Sequence, residues 1–273
     1  MMRDEHILVD PVNERTLSLV IAAALHTLHP KAGVRVEHSL DDGLYCEFDN
    51  IRCDDALRAE MEAKVTEIID QKQRIERRYM DREGAAQLFA RAGMEDKAAN
   101  IRHSRDARCP IDRLCGLDDH MYGDLPPHAG ILPRVYVRQM MHGLWFGFHG
   151  SPKPQDKLLA VYDAFERWGR RLGINNVPQL NAAAKQEGID TLIAMSEAQI
   201  ERQLVKLADT IVSMQPLRRF VLISGPSSAG KTTFSRRLKI HLRILGFQPQ
   251  ALSMDDFFRD RCEYPRLADG SYD

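Results

Sequence analysis

The spacing of hydrophobic residues predicts a helix and a strand hairpin at the start of the chain. Residues 15–28 carry apolar side chains at helical intervals, and Pro30 and Gly33 end this pattern. Two strands are predicted next, over Val34–His38 and Gly43–Phe48, on either side of an Asp-Asp-Gly turn. The apolar stripe of the predicted helix consists of Leu17, Val20, Ile21, Ala24 and Leu28.

The pattern then predicts two more helices and further short strands. Asp54–Arg78 has apolar residues at helical spacing among many charges, and a shorter helix is predicted over Asp81–Ala92. Residues 100–153 are rich in Pro, Gly and His, and they contain strand-like segments at Arg134–Val137 and Gly143–Phe148.

A change in composition predicts a helical connector in the middle of the chain. Gln155–Leu172 and Val177–Glu187 are predicted helices. Ser196 and Gln199 match a capping box, which predicts that a helix opens there and runs to about Val212. We therefore place the domains at 1–154 and 216–273, with the connector at 155–215.

The last part of the chain predicts a strand, a helix and a second strand. Phe220–Ser224 is an apolar run typical of a buried strand. A helix with Phe234, Leu238, Leu242 and Leu245 on one stripe ends at Gly246, and Pro249–Ser253 leads into the next strand. The expected fold class is α/β, with an α+β first domain and the first part of a doubly wound domain.

Composition and charge exclude several broad classes. The chain has 273 residues, 44% of them hydrophobic, and a formal net charge of -1. This balance gives no whole-chain reason to expect a nucleic-acid or membrane-surface partner, although it leaves a local basic patch open. No apolar run reaches the roughly 18–20 residues of a membrane span, so we expect a cytoplasmic protein. Its five scattered cysteines favour reduced thiols: Cys46, Cys53, Cys109, Cys115 and Cys262.

A phosphate-binding loop lies between the predicted strand and helix. The motif G-x-x-x-x-G-K-[ST] is matched at every fixed position by Gly225, Pro226, Ser227, Ser228, Ala229, Gly230, Lys231 and Thr232, with Thr233 following. Glycines let the backbone curl around an anion, and the following helix adds its positive end. Lys231 is expected to reach the β- and γ-phosphates of ATP, and the Thr232 hydroxyl to bind Mg²⁺.

A pair of carboxylates follows the second predicted strand. Asp255 and Asp256 lie within the run Ser253–Phe258, which ends that strand, and Asp255 is 24 residues beyond Lys231. The carboxyl ends of parallel strands meet at one crevice, so an acidic residue here is expected near the γ-phosphate. It can accept a proton from an acceptor hydroxyl or help to hold Mg²⁺, whereas the alternative is a solvated Asp-Asp turn.

These residues together resemble the uridine kinase and phosphoribulokinase group of P-loop kinases. The resemblance rests on Val221–Gly225, the loop Pro226–Thr233 and Leu252–Phe258. It implies that Asp255 is the catalytic base, that Lys231 assists phosphoryl transfer, and that Phe257 and Phe258 shape the acceptor pocket. The implied reaction transfers a phosphoryl group from ATP to a nucleoside, giving a nucleoside monophosphate and ADP.

The first half resembles the second additional domain of threonyl-tRNA synthetases. The similarity is carried by the stretch Ser39–Asp49, by the predicted helix Asp54–Arg78, and by Ala86, Phe89, Gly93 and Lys97. A class of bacterial kinases joins such a domain to a uridine-kinase-like domain through a helical connector. The combined likeness covers most of the chain, and it is sharpest in the P-loop region.

The first half departs from the editing pattern of the synthetase domain. That domain uses an H-x-x-x-H pair and a Cys-x-x-x-His; alignment through Pro30 puts the pair at Leu19 and Ala23. The Cys position is Asp124, and only the final histidine is kept, as His128. We therefore expect no editing chemistry. A zinc site is not expected either, because the available residues match no standard spacing: His103, Cys109, Cys115, His120 and His128.

The kinase pattern is also incomplete. Only 48 residues follow Gly225, and a kinase domain needs about 150–200 residues, so we expect a truncated domain with weak activity. The first hypothesis is a nucleoside kinase that uses ATP and Mg²⁺. The alternative is a tRNA-related binding or vestigial editing module fused to a nucleotide-binding fragment. A third hypothesis is a P-loop ATPase that does not transfer a phosphoryl group to a small molecule.

Overall fold

The computed structural model describes residues 10–186, 188–258 and Pro265. It divides the chain into two compact units, Met1–Asn181 and Ala182–Asp273. The division falls inside the predicted connector, and the predicted domain bounds stay a prediction. Cys262 lies outside the described residues. Over the described part, no helix is both long enough and apolar enough to cross a membrane.

Helix α1, Pro11–Leu28, is the centre of the first unit. It begins at Asp10, whose carboxylate accepts a hydrogen bond of 2.8 Å from the Val12 amide, and Pro11 suits the first helical turn. The predicted stripe lies in the core, and so do Leu19, Ala23 and Leu25. More of the helix is buried than the stripe indicates because a second helix and strands of two sheets pack around it.

A four-stranded antiparallel sheet covers one side of α1. Strands β1 (Gly33–Leu40) and β2 (Gly43–Asp49) form the predicted hairpin, and Asp41 occupies its tight turn at φ 54°. Strands β6 (Tyr136–Met140) and β7 (Gly143–Gly147) extend the sheet in the order β1-β2-β7-β6. The β2 side chains of Leu44 and Cys46 face the main core, whereas Tyr45 enters a separate cluster on the opposite face.

Helix α2, Asp55–Asp70, is shorter than the predicted helix Asp54–Arg78, so this prediction is wrong at its C-terminal end. Asp54 caps its start by accepting hydrogen bonds from two backbone amides. The helix stops because Lys72 takes the left-handed conformation, φ 49°, and the Gln73 amide turns back to the Ile68 carbonyl. The chain then continues as strand β3, Glu76–Asp81.

The region after α2 builds a second antiparallel sheet, of order β3-β4-β5. Helix α3 (Arg82–Arg91) fits the predicted helix, but helix α4 (Glu95–His103) was not predicted. Strands β4 (Arg108–Leu114) and β5 (Leu117–Asp119) were not predicted either. One face of this sheet packs against α3 and α4 through Phe89, Ile101, Cys109 and Ile111.

The first unit closes with a hairpin and one helix, and the next helix contains Asn181, the last residue of the unit. Strands β6 (Tyr136–Met140) and β7 (Gly143–Gly147) lie close to the predicted segments. Helix α5 (Asp156–Leu172) matches its prediction and packs on the sheet through Leu159 and Tyr162, and α6 covers Val177–Gln186.

The second unit contains two packed helices. Helix α7, Ile189–Ser213, begins seven residues before Ser196, so the predicted capping box lies inside a helix and is wrong as a helix start. Helix α8, Lys231–Ile244, follows the prediction and ends before Gly246 at φ 90°. The two helices bury a small cluster of Leu204, Ala208, Ile211, Leu238 and Leu242.

The strands predicted at Phe220–Ser224 and Pro249–Ser253 are absent from the described residues, which corrects this part of the prediction. Both runs are irregular, and Phe220 and Leu222 are 85% and 93% exposed. An apolar run becomes a buried strand only when neighbouring strands satisfy its backbone groups. No described strand lies beside these runs. The described part is therefore a mixed α and β structure with two small antiparallel sheets, and it does not contain a doubly wound P-loop fold.

Candidate functional site

The segment 121–131 is the candidate site of the first unit, because it contains Asp124 and His128 and lies beside α1. Its last residues, Ala129–Ile131, form a short 3₁₀ turn that contacts α1 and α2. Backbone pairing fixes this end: the Ile75 amide donates to the Pro127 carbonyl at 3.0 Å, and the Ala129 amide donates to the Gln73 carbonyl at 2.9 Å.

The other end of segment 121–131 is held by two arginines. Arg15 of α1 packs against Gly123 and donates from Nε to the Asp124 carbonyl at 3.1 Å. Arg77 of β3 makes two hydrogen bonds to the Asp112 carboxylate, at 2.7 and 3.0 Å, and this pairing raises the pKa of Arg77. Asp112 is fully buried and also accepts from the Met121 amide at 3.2 Å. The segment is therefore anchored at both ends.

His128 has an unused polar atom within this framework. Its Nδ1 is buried and finds no hydrogen-bond partner among the described residues. Gly130 allows the ring and the stem of Lys72 to approach, since a side chain at position 130 would meet both. Lys72 and Arg74 lie exposed beside the segment, and the backbones of Arg74 and His128 form an isolated bridge. This corner presents positive groups beside a histidine with spare hydrogen-bonding capacity.

The two positions aligned with the editing histidines are closed. Leu19 and Ala23 are both 0% exposed and belong to the main hydrophobic core. Asp124, at the cysteine position, is fully exposed at its side chain. No group of three His, Cys, Asp or Glu residues in the described part of the chain is arranged to hold a metal ion.

The histidines and cysteines that were considered as zinc ligands, and for which no zinc site was expected, have separate surroundings. Cys109 lies in the core beneath α3 and α4, where burial raises the pKa of its thiol. His103 bonds to the Ala99 carbonyl at the end of α4, and His120 bonds to the Pro110 carbonyl, each at 2.8 Å. Cys115 occupies a turn at φ 49°.

The P-loop residues form a compact turn at the start of α8. Ser228 and Gly230 both have positive φ, 59° and 78°, and the Ala229 amide donates to the Pro226 carbonyl at 3.3 Å. Such alternation turns successive backbone N–H groups towards one side, and the first turn of a helix leaves its amides without intrahelical acceptors. Ser227, Thr232 and Thr233 are exposed in this turn.

The Lys231 side chain folds back over the loop. Its Nζ donates to the Gly225 carbonyl at 2.8 Å and to the Pro226 carbonyl at 2.6 Å. A bound phosphate would offer the same ammonium group a stronger, charged acceptor. The loop thus places a cation and backbone donors together, and its binding of phosphate stays a prediction.

The predicted catalytic base, Asp255, lies in an exposed turn. Asp255 and Asp256 are exposed in a short 3₁₀ turn, Met254–Phe257. Within the ranges that the structure describes, no hydrogen bond or ion pair joins Asp255 to Lys231 or Thr232. Phe257 and Phe258 are also exposed. The roles of Asp255, Lys231 and Thr232 stay predictions.

The sequence reasoning did not single out Arg15, Lys72, Arg74, Arg77 or Asp112. Arg77 and Asp112 face each other only because β3 pairs with β4, in which these residues are direct partners. Lys72 and Arg74 fell inside a stretch interpreted as helix. The basic pair Arg77-Arg78 is visible in the sequence. The sequence does not show that Asp112 is the partner of Arg77, because their pairing depends on the sheet.

Known proteins similar to this chain are threonine–tRNA ligases. The ligase of Paramagnetospirillum magneticum is 34% identical over 101 residues, 36% of this chain and 15% of that protein. The ligase of Halorhodospira halophila is 27% identical over 171 residues, 56% of this chain and 27% of the relative. That of Nitratidesulfovibrio vulgaris is 28% identical over 134 residues, covering 49% and 21%.

These matches cover only a small part of each relative. The chain spans between 15% and 27% of the length of these three relatives. No protein-family model matches it. The similarity supports a threonyl-tRNA synthetase-like domain in this chain, and it favours the tRNA-related alternative over the nucleoside kinase. It offers nothing in support of the kinase part.

Proposed function

We propose that the first unit is a tRNA-binding module that has lost editing chemistry. The observation that carries this proposal is the similarity to threonine–tRNA ligases, combined with the burial of Leu19 and Ala23 in the core. The sequence alone gave no whole-chain reason to expect a nucleic-acid partner. The relatives are threonine–tRNA ligases, so we propose tRNA as the partner of this unit.

The positive corner beside segment 121–131 supports binding. Lys72 and Arg74 are exposed, and the Arg74 guanidinium has only a long contact of 3.8 Å to Glu76. They are available for phosphate oxygens, which account for most protein contacts to a nucleic-acid backbone. Arg77 is not available for phosphate oxygens, because its guanidinium already donates two hydrogen bonds to the buried Asp112 carboxylate. The Nδ1 of His128 is buried, so the two exposed cations carry the proposed contact.

The residues at the aligned editing positions lack the groups that would hydrolyse an aminoacyl-tRNA. Leucine and alanine at positions 19 and 23 hold neither a proton nor a metal ion. A carboxylate at Asp124 replaces a thiol that can act as a nucleophile or ligand. Binding and hydrolysis are therefore separable in this unit.

Fluorescence anisotropy with labelled tRNA tests the binding. Replacing Lys72 and Arg74 with Ala should weaken binding by about tenfold, since each exposed phosphate contact contributes modestly, and should lower the salt dependence by about one unit per lost contact. Arg52→Ala is the matched control, because this exposed arginine precedes the opposite end of α2. Equal affinity of the wild type and the double variant at low salt would sink the proposal.

A deacylation assay tests the second half of the proposal. Ser-tRNA incubated with the intact chain should lose its amino acid no faster than in buffer. A rate clearly above the buffer control, retained in His128→Ala, would show that other groups perform the hydrolysis.

We infer a second function for the P-loop: it binds ATP with Mg²⁺, and it belongs to a uridine-kinase-like phosphotransferase. The observation that favours nucleotide binding is the turn of Gly225–Gly230, with Lys231 folded over its carbonyl groups. In this proposal Thr232 binds Mg²⁺ and Asp255 accepts the proton of a nucleoside hydroxyl. The carboxylate can do so only when the acceptor is held in line with the γ-phosphate.

Calorimetric titration with Mg-ATP tests the P-loop. Lys231→Ala removes the side-chain cation of the cradle and should weaken ATP binding by at least about tenfold. Lys239→Ala, two turns further along α8, is the control and should bind ATP as the wild type does. If both variants bind ATP equally well, the P-loop assignment fails. Nucleoside-dependent ADP formation, lost in Asp255→Asn without loss of ATP affinity, would support the transfer step.

A further inference from the structure

Helix α5 has two apolar faces, and only one of them packs on the first sheet. Leu159 and Tyr162 make the contact with the sheet, and Tyr162 is only 8% exposed. A second apolar row follows the helix at alternating steps of three and four residues. We name this row the α5 seam, and its members are Leu158, Val161, Phe165, Trp168 and Leu172.

The α5 seam is open to solvent along most of its length. Leu158, Val161 and Phe165 are 47%, 55% and 53% exposed. Trp168 is partly buried, and its ring lies edge to face against that of Phe165, with 6.4 Å between the ring centroids. Large apolar side chains that are contiguous and exposed mark an interaction surface more often than scattered ones do.

The spacing of the seam fits a second helix better than a lipid surface. Alternating steps of three and four residues are the heptad pattern, which keeps an apolar row against another helix over several turns. At 3.6 residues per turn, the five seam residues fall within an arc of about 80°. This row is narrower than the apolar face of an ordinary amphipathic helix, and it has the width of a coiled-coil contact.

The border of the seam that faces away from the sheet is basic. Helical geometry places Lys157, Ala164 and Arg171 along this border, on the side opposite Tyr162. All three are exposed. Within the described ranges, no ion pair involves either cation, because the pairing acid of α5, Asp163, contacts other arginines on the far side of the helix. The two border cations are therefore available to an acidic partner.

The same border argues against a second copy of this chain as the occupant. Two α5 helices packed seam to seam in antiparallel orientation would bring Lys157 of one copy near Arg171 of the other, and like charges repel. A parallel pair would set each basic border against the side of the seam next to Tyr162, which the sheet already occupies. A different chain with the opposite charge avoids both conflicts.

We propose that the α5 seam binds an amphipathic helix of a partner protein, whose own apolar row is bordered by Asp and Glu residues. Burial of the two apolar rows supplies the affinity, and pairing with Lys157 and Arg171 selects the acidic partner. Ala164, between these cations, allows the backbones to approach closely. The inference does not depend on the tRNA or ATP proposals, because α5 contributes to neither site.

An acidic heptad peptide is the probe for this surface. It has about three heptads, with Leu at both core positions, Glu at the border positions and no Trp, and its own charges oppose self-pairing. In fluorescence anisotropy it should bind the intact chain at least about tenfold more tightly than a matched peptide with Lys at the border. With unlabelled peptide, the emission of Trp168 should shift to shorter wavelength, whereas Trp145 is already fully buried.

Two double variants test the apolar row and its charged border separately. Val161→Ser with Phe165→Ser should weaken binding of the acidic peptide at least about tenfold, without a change in circular dichroism, because both side chains are exposed. Lys157→Glu with Arg171→Glu should reverse the preference, so that the basic peptide binds more tightly. A purely structural role of these cations would not produce that reversal.

The control reverses two exposed cations outside α5. Lys31→Glu with Arg91→Glu should keep the wild-type preference for the acidic peptide. The proposal is overturned if the chain binds both peptides equally or binds neither, or if reversal of the border leaves the preference unchanged. A dimer in sedimentation velocity, or flotation with phosphatidylcholine–phosphatidylglycerol vesicles, would also overturn it if Phe165→Ser abolished that association, since the occupant would then be a second copy or a bilayer.

Discussion

The ion pair of Arg77 and Asp112 gives the sharpest prediction about stability. Asp112 is fully buried, and its carboxylate accepts two hydrogen bonds from Arg77 and one from the Met121 amide. Replacing Arg77 with Leu keeps much of the apolar stem but removes both charged donors. The carboxylate then stays buried with a single backbone amide, in the sheet that supports segment 121–131.

The magnitude follows from the cost of an unpaired buried charge. Removing one partner of a buried ion pair typically destabilises a protein by about 3–5 kcal/mol, because the remaining charge is uncompensated. Arg77 is mostly buried and its bonds are short, at 2.7 and 3.0 Å, so we expect a value in this range. Replacing both residues with Leu should recover much of the loss, since no charge then remains buried.

Urea unfolding followed by tryptophan fluorescence measures this effect in the first unit alone. The chain has two tryptophans, Trp145 and Trp168, and both belong to that unit. The control is Arg113→Leu, which removes an arginine of the same sheet whose partnership with Asp118 is exposed to solvent, and it should change stability far less. A loss below about 1 kcal/mol in Arg77→Leu, or no recovery in the double variant, would refute the argument.

Two further predictions concern the same unit. Asp54→Ala removes the carboxylate that accepts from the amides of Ala56 and Leu57 at the start of α2; it should cost about 1 kcal/mol in the same urea assay, with Asp54→Ser close to wild type. Asp118 has a pKa lowered below 3.8 by its hydrogen bonds to Arg113 and the charge of Arg78. Its contribution is present above pH 3.8 and is lost as the pH falls through the lowered value, so Asp118→Asn should reduce the loss of stability between pH 6 and pH 3. An unchanged acid dependence would contradict this assignment.

Local patterns predicted the elements whose causes are local. The hairpin of β1 and β2 follows from an Asp-Asp-Gly turn between two apolar strands. Helix α1 follows from its apolar stripe, but its start at Pro11, four residues before the predicted helix, was not predicted. Helices α5 and α8 carry apolar residues at helical spacing. In each case the information lies within one element and its ends.

The missed elements depend on partners distant in sequence. Strand β3 looks like the continuation of a charged helix, because Glu76–Asp81 contains residues that favour helices on a propensity scale. It becomes a strand by pairing with β4, some thirty residues later. The end of α2 at Lys72 carries no glycine or proline signal, and a left-handed lysine is not readable from the sequence.

The two candidate sites differ in the same respect: one is a contiguous motif, and the other joins segments that are distant in sequence. The phosphate loop is a contiguous motif, so its turn and the start of α8 at Lys231 could be predicted. The positive corner beside His128 could not, because it joins the end of α2, the start of β3 and a distant segment. The apolar run Phe220–Ser224 shows the opposite failure: its pattern is that of a buried strand, but the described residues supply no sheet to bury it.

The burial of α1 links the loss of chemistry to the proposed function. A helix whose side chains serve an open catalytic cleft must leave some of them accessible, but Leu19 and Ala23 are completely enclosed with Val20 and Leu25 in the core. Compared with the editing pattern that the sequence resembles, leucine and alanine add to the core and offer no group that could bind a metal or accept a proton. The positive corner is built from other elements, at Lys72 and Arg74, and does not depend on the enclosed face. In the proposed function, an aminoacyl-tRNA is therefore bound without hydrolysis of its aminoacyl ester.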